Sequence, residues 1–209
     1  MNKVRLNHCA IVLLAAGRSG RLGTPKQTLV YEGKTLLRHS VEAALGTGMQ
    51  PVLVVIGANH RIIEKELNAE AGIRIVVNKG WEEGMASSIR CGVEAAMQMD
   101  PGLDGLIIMV CDQPFVRTEL LQTLFQTQQE TDMPVVASSY RDNPGVPALF
   151  HKSFFNKLLS LKGDTGARKI LKDQAGLVQL VDFPEGETDI DTLNDFKELT
   201  ELKKERRHD

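Results

Sequence analysis

Between Leu13 and Gln27 the chain reads LLAAGRSGRLGTPKQ, which sets Gly17, Gly20 and Gly23 beside Arg18, Arg21 and Lys26. Glycines let a backbone curl with its N–H groups inward, the geometry that holds phosphate oxygens, and the three cations beside them suit a triphosphate. A surface loop with incidental basic residues would have the same composition. Two familiar phosphate schemes do not fit. A dinucleotide fold wants G-x-G-x-x-G where this loop runs G-R-S-G-R-L-G, and a P-loop lysine is followed by Ser or Thr, not by Gln27.

Two acidic segments are the natural complement. In VCDQP an apolar run ends in Asp112, a hard oxygen ligand of the kind Mg²⁺ prefers when it joins one or two carboxylates to substrate phosphates. A turn or cap aspartate ahead of Pro114 would look the same. In TDIDTLND, Thr192 followed by Asp195 resembles a capping box, which would leave Asp189 and Asp191 as helix-start acids. Phosphoryl chemistry would instead use one of them as a second metal-facing carboxylate. Cys111, next to Asp112 on an apolar strand, is in a setting that disfavours a thiolate and reads as core.

These residues must be positioned by regular elements. Four short Val/Ile-rich runs, CAIVLLAA, PVLVVIGA, IRIVVN and LIIMVCD, are nearly continuous rather than alternating, as strands covered on both faces are. Between them LLRHSVEAAL, HRIIEKELNAE and SSIRCGVEAAMQM carry helical periodicity. The alternation predicts right-handed crossovers and a doubly wound, mostly parallel α/β sheet. The loop after the first strand and Asp112 after the fourth then both lie beyond carboxyl ends, where open α/β sheets bind ligands. Further on, RTELLQTLFQTQQ, HKSFFNKLLS, GARKILKDQ and TLNDFKELTELKKERR read as helices. PVVASSY, GVPALF and GLVQLVDF read as strands, with RDNPG turn chemistry between the first two.

The 209 residues suit one large domain, with KKERRHD as a solvated end. Lys+Arg at 25 against Asp+Glu at 27 argues against a nucleic-acid binder working by bulk charge. Cys9, Cys91 and Cys111 form no CxxC pair and the five histidines no HExxH, so a disulfide framework and a zinc centre are disfavoured and a cytoplasmic setting is expected. MNKVRLNHCAIVLLAAG loosely imitates a secretory leader, but its short apolar run leads straight into the glycine loop and reads as a buried strand. No stretch is long and apolar enough to span a bilayer.

LLAAGRSGRLGTPK resembles the LAAGxSxRMGxxK signature of the molybdenum cofactor nucleotidyltransferases, with Leu22 where that family usually has Met. That signature alone would indicate only a nucleotidyltransferase. The resemblance continues through VVNKGWEEGMASSIRCGV, VCDQP, GVPALF, GDTGAR and DIDTLNDF, and the combination of GMASSI, DQP and GDTGAR points to the molybdopterin branch. It implies the nucleotide-diphospho-sugar transferase-like fold, with residues 1–115 as nucleotide-binding half, 116–200 as acceptor-binding half and 201–209 as tail. It implies a Mg²⁺-dependent transfer of CMP from CTP to molybdopterin, because LAAG at Leu14 to Gly17 is similar to cytidylyl enzymes and LAGG to guanylyl ones.

By the same resemblance, Leu14, Ala15, Ala16, Gly17 and Gly20 would form the nucleotide cradle, with Ala16 favouring a pyrimidine. Arg18 and Arg21 would lie along the β- and γ-phosphates, Lys26 would reach the α-phosphate, and Asp112 and Asp191 would hold magnesium. Ser88 would contact base or ribose, or serve only as the polar residue of an ordinary helix start. Gly163 to Arg168 would place the pterin phosphate at a helix N-terminus. A guanylyl, sugar-phosphate or polyol-phosphate transferase of the same fold is the nearest alternative. A non-catalytic carrier that delivers the pterin to a xanthine dehydrogenase type enzyme is the alternative of another class. Transient contact with a molybdoenzyme or its insertion chaperone is expected, and contact with nucleic acid or membrane is not.

Overall fold

A computed structural model of the chain describes residues 6–20, 22–141 and 143–205, so Arg21 and the last four residues of the expected tail lie outside the described residues. In chain order the elements are β1 (Cys9–Ala15), β2 (Val30–Tyr31), β3 (Lys34–Thr35), α1 (Leu36–Gly46), β4 (Val52–Ile56), α2 (His60–Leu67), β5 (Ile73–Val77), α3 (Met85–Met99) and β6 (Gly105–Val110). There follow α4 (Thr118–Thr131), β7 (Val135–Tyr140), β8 (Asn143–His151), α5 (Phe155–Leu159), α6 (Arg168–Asp173), β9 (Val178–Asp182) and α7 (Leu193–Glu205). Strands β2 and β3 form a small ladder of their own; the others form one sheet in the order β5-β4-β1-β6-β8-β7-β9.

The mostly parallel sheet expected from the continuous apolar runs is present. Strand β8 is antiparallel to both β6 and β7, while β4, β5 and β6 run with β1 and β9 with β7, so β8 alone is reversed. Its reversal follows from chain length: two residues separate β7 from β8, and a link that short permits only an antiparallel hairpin. Strand β5 departs from the expectation of burial on both faces, because it closes one edge of the sheet and leaves Ile75 and Val77 exposed.

Side chains of β1 alternate between two cores. Ile11 and Leu13 meet Leu37, Val41 and Leu121 of α1 and α4, whereas Val12 and Leu14 meet Ile89 and Val93 of α3. Each fully buried aliphatic side chain of this kind contributes about 1.5–3 kcal/mol. Helix α3 lies against the sheet because residue 92 is glycine; a Cβ there would overlap Val12 Cγ1.

The topology then dictates where a ligand goes. From β1 the chain moves outward to β4 and β5, then returns to β6 on the other side of β1. Strands β1 and β6 are thereby parallel neighbours, so the loop that follows Ala15 and the residues that follow Val110 share one carboxyl edge of the sheet, where such folds bind ligands.

Candidate active site

Strand β1 ends at Ala15 and the chain turns at once, with Ala16 buried and Gly17, Arg18 and Gly20 exposed. Gly23 adopts φ +67°, which glycine accommodates without strain. At Gly17 and Gly20 a Cβ would meet nothing within 4 Å, so the protein's own packing does not call for glycine there. Bare backbone facing open space suits the close approach of a ligand.

Lys26, at the far end of this loop, meets both acidic segments. Its Nζ donates to Asp112 Oδ2 at 2.5 Å and to Asp191 Oδ1 at 3.1 Å. The side chains of Lys26 and Asp112 are 15% and 19% exposed, that of Asp191 45%. Burial by itself would lower the lysine's pKa. The neighbouring Asp112 and the hydrogen bonds to both carboxylates outweigh it and hold the pKa above its ordinary value, so the ammonium stays charged. Asp189 faces the same group of acids, and burial, then Asp112 and Asp191, pushes its carboxyl up to about 6.

Main-chain contacts explain how residues so far apart in sequence are held together. The Ile190 N–H donates to the Asp112 carbonyl at 3.0 Å, pinning the segment before α7 to the end of β6. Asp195 Oδ2 accepts from the N–H groups of Asp191 at 2.9 Å and Thr192 at 2.7 Å, and its own N–H donates to Thr192 Oγ1 at 3.2 Å. The capping-box reading of TDIDTLND is met by Thr192 and Asp195 at the start of α7, while the Asp191 carboxylate is left to meet Lys26.

Two lobes of the crevice, about 330 and 300 Å³, share Leu14, Met85, Val110, Asp112 and Asp164. The first lies along Ala15, Ala16, Gly17, Arg18 and Lys26, and Ser88 and Trp81 also face it. Ser88 sits in the first turn of α3, where its oxygen accepts from Asn78 Nδ2 at 3.0 Å. Trp81 lies within VVNKGWEEGMASSIRCGV, where neither residue type nor spacing gives it a role. It can stand against Ala16 because residue 57 is glycine: a Cβ there would lie 2.7 Å from Trp81 Cβ and 2.9 Å from Ala16 Cβ.

The second lobe adds Gln113, Tyr140, Arg168 and Asp189. Gln113 is 2% exposed; its Nε2 donates to the Gly186 carbonyl at 2.9 Å, and its Oε1 has no partner among the described residues. Arg168 Nη2 donates to Tyr140 Oη at 3.0 Å, with the guanidinium 5.5 Å from the ring centroid. The helix expected to begin within GDTGAR does so at its last residue, Arg168, and runs six residues, so little of the segment is itself helical. The segment instead docks on the start of α3, where the Ala86 N–H donates to the Gly163 carbonyl at 3.0 Å, and the local positive charge is the Arg168 side chain.

A larger cavity, about 930 Å³, opens at the amino end of β1 beside Asn7, Met49, Gln122 and Phe125, away from the carboxyl ends that host ligands in such sheets. Among the described residues no three His, Cys, Asp or Glu side chains cluster as a metal cage. Two hard carboxylates that already converge on one cation do fit a divalent ion completed by phosphate oxygens and water. No helix among the described residues is long and apolar enough to cross a membrane.

Comparison with known proteins bears on this arrangement. The MobA-like NTP transferase domain matches residues 11–179. Nicotine blue oxidoreductase of Paenarthrobacter nicotinovorans is 33% identical over 90% of this chain and 94% of its own. The purine catabolism protein PucB of Bacillus subtilis is 31% identical over 88% and 92%. Among solved structures, Rv0371c of Mycobacterium tuberculosis in complex with manganese superposes with a TM-score of 0.78 at 26% identity, covering 93% of this chain and 99% of that one. The chain belongs to the MobA-like NTP transferase family and is a nucleotidyltransferase.

Proposed function

We propose that the protein transfers CMP from CTP to the terminal phosphate of molybdopterin, releasing pyrophosphate. The observation that carries this reading is the Lys26 ammonium held between Asp112 and Asp191 at the mouth of a glycine-rich loop. An oxygen of the acceptor phosphate attacks the α-phosphorus, the α–β P–O bond breaks, and pyrophosphate leaves with the bonding electrons. Two anions must be forced together in line, so positioning and charge neutralisation are the catalytic tasks.

Each residue has a place in that scheme. The backbone of Leu14 to Gly17 cradles the nucleotide, and Ser88 offers its hydroxyl proton to base or ribose. Arg18 lies along the outer phosphates, with Arg21 assigned to the same task by resemblance. Lys26 exchanges carboxylate oxygens for an α-phosphate oxygen as charge develops there, the kind of electrostatic contact that dominates phosphoryl transfer. Asp112 and Asp191 are the residues that would hold Mg²⁺. When bound, the ion neutralises phosphate charge and aligns the attacking and leaving oxygens. In the second lobe, Arg168 meets the acceptor phosphate and Gln113 Oε1 awaits a donor from the acceptor, such as a ring N–H. No enzyme nucleophile is needed, and burial pushes the Cys111 thiol up to about 12.

The test incubates the pure protein with molybdenum-loaded pterin, Mg²⁺ and each nucleoside triphosphate in turn, then identifies the dinucleotide and measures pyrophosphate. A cytosine dinucleotide supports the proposal; a guanine dinucleotide, or turnover only with sugar or polyol phosphates, replaces the substrate. Pterin binding without pyrophosphate release would make the protein a carrier. One observation favours a second reading: the relative at 33% identity is named an oxidoreductase. The loop spacing is not that of a dinucleotide fold, and the same incubation with a reduced nicotinamide, followed at its absorbance, separates the two.

A further inference from the structure

Gln27 follows Lys26 directly and is the least accessible polar side chain near the crevice, at 0% exposure. A buried amide has to be matched by partners, and its partners are all in the glycine loop. Nε2 donates to the Ala15 carbonyl at 2.8 Å and to the Gly17 carbonyl at 3.2 Å. Oε1 accepts from the Ser19 hydroxyl at 3.4 Å, and that same hydroxyl accepts from the Lys26 N–H at 2.9 Å. Ser19 itself sits at φ 55°, an unusual backbone for a residue with a Cβ that needs support from its surroundings.

Two consequences follow from elementary geometry. The peptides after Ala15 and Gly17 are trans, so each carbonyl and the next N–H point in opposite directions. With both carbonyls drawn onto the buried amide, the N–H groups of Ala16 and Arg18 are turned away from it. The second consequence is a coupling. Through Ser19 the same amide sets the turn relative to the main chain of Lys26, whose ammonium stands between Asp112 and Asp191. Loop and lysine are thereby one unit, fixed from the core side.

We propose that Gln27, with Ser19, is a positioning residue that fixes the peptide planes of the Ala15–Arg18 turn and their register to Lys26, and so sets affinity for the triphosphate. This rests on the nucleotidyltransferase reading of the crevice. Gln27 touches no substrate in this scheme; it acts through the loop.

Three variants test it: Gln27→Leu, which removes the donor and keeps the bulk, Gln27→Glu, which keeps the shape, and Ser19→Ala, which removes only the link to Lys26. CTP with Mg²⁺ is the probe, read by calorimetric binding and by pyrophosphate release with the pterin acceptor. For Q27L the KM for CTP is expected to rise tenfold or more while the KM for the acceptor stays within twofold. S19A should show a smaller rise in the same parameter. For Q27E the introduced carboxyl can donate only when protonated, so its kcat/KM for CTP relative to wild type should climb as pH falls from 8 to 6. The KM for the acceptor should not follow that recovery, as the activity as a whole would if ionisation of a buried carboxyl merely loosened the fold. Should Q27L fail to fold, S19A and the Q27E pH ratio decide. A folded Q27L that binds CTP as wild type does, or a flat Q27E ratio, overturns the proposal. Absence of binding of CTP and of every other nucleoside triphosphate by the wild-type protein would instead overturn the reading of the crevice.

Discussion

Replacing Lys26 by Met keeps most of the side-chain volume and removes the charge, which separates chemistry from folding. The wild-type ammonium makes two charge-assisted hydrogen bonds, at 2.5 Å to Asp112 and 3.1 Å to Asp191. A hydrogen bond to a charged group contributes about 1.5–3 kcal/mol when buried. Asp191 is 45% exposed, so water replaces most of that bond, and only the Asp112 contact retains close to its full value. A stability loss of about 1–3 kcal/mol is therefore expected in urea unfolding without divalent ions. Turnover should fall far more, by about 10²–10³-fold, the loss typical when a preorganised electrostatic contact to the reacting centre is removed. The variant should also gain more melting temperature from added Mg²⁺ or Mn²⁺ than wild type, because the ammonium no longer competes for the two carboxylates. Pyrophosphate release under saturating CTP and acceptor is the assay. A folded K26M protein with kcat within threefold of wild type would refute the role given to Lys26, and an unchanged response to divalent ions would refute the shared-carboxylate geometry.

Gly17→Ala should leave stability within about 0.5 kcal/mol, since a Cβ there meets nothing within 4 Å, yet weaken CTP binding at least tenfold; thermal melts alongside calorimetry check both halves. Asp112→Asn removes a charged oxygen at the meeting point of the two lobes and should flatten the Mg²⁺ dependence of pyrophosphate release, so a wild-type metal titration would count against Asp112 as a ligand. Gly92→Ala drives a methyl into Val12 and should cost about 1–3 kcal/mol in urea unfolding without changing the KM for CTP. Burial pushes the thiols of Cys9 and Cys111 up to about 12, above the ordinary value of 9.0, so the folded protein keeps protons that the unfolded chain releases. Their contribution is intact below about pH 9 and should be lost between 9 and 12 at about 1.4 kcal/mol per pH unit per thiol, a slope that Cys9→Ala reduces.

What the sequence shows and what it hides divides along a physical line. Strands β1, β4 and β6 are legible because a two-sided burial requirement leaves only apolar residues available, and Asp112 stands out because it ends such a run. The glycine loop is legible because its residue types have no packing purpose of their own, as the open space around Gly17 and Gly20 shows. Trp81, Gln27 and Gln113 are not legible, since an aromatic or an amide acquires meaning only from the partner it meets. Gln27 meets Ala15 and Gly17 across a turn whose shape no composition encodes, and Gln113 meets Gly186 across 73 positions. Strand direction is hidden for the same reason: hydropathy is indifferent to polarity, and only the two-residue link at 141–142 discloses that β8 runs backward. The choice between Asp189 and Asp191 turns on alternation. With Ile190 buried and its N–H bound to the Asp112 carbonyl, both flanking carboxylates turn toward the crevice, one meeting Lys26 and the other held at a raised pKa by its neighbours. A sequence can nominate the pair, but the single main-chain bond from Ile190 to residue 112 is what makes a site of acids 79 positions apart (112 to 191). That bond lies on backbone alone, so substitutions at 189 or 191 can alter the chemistry of the crevice without unmaking its shape.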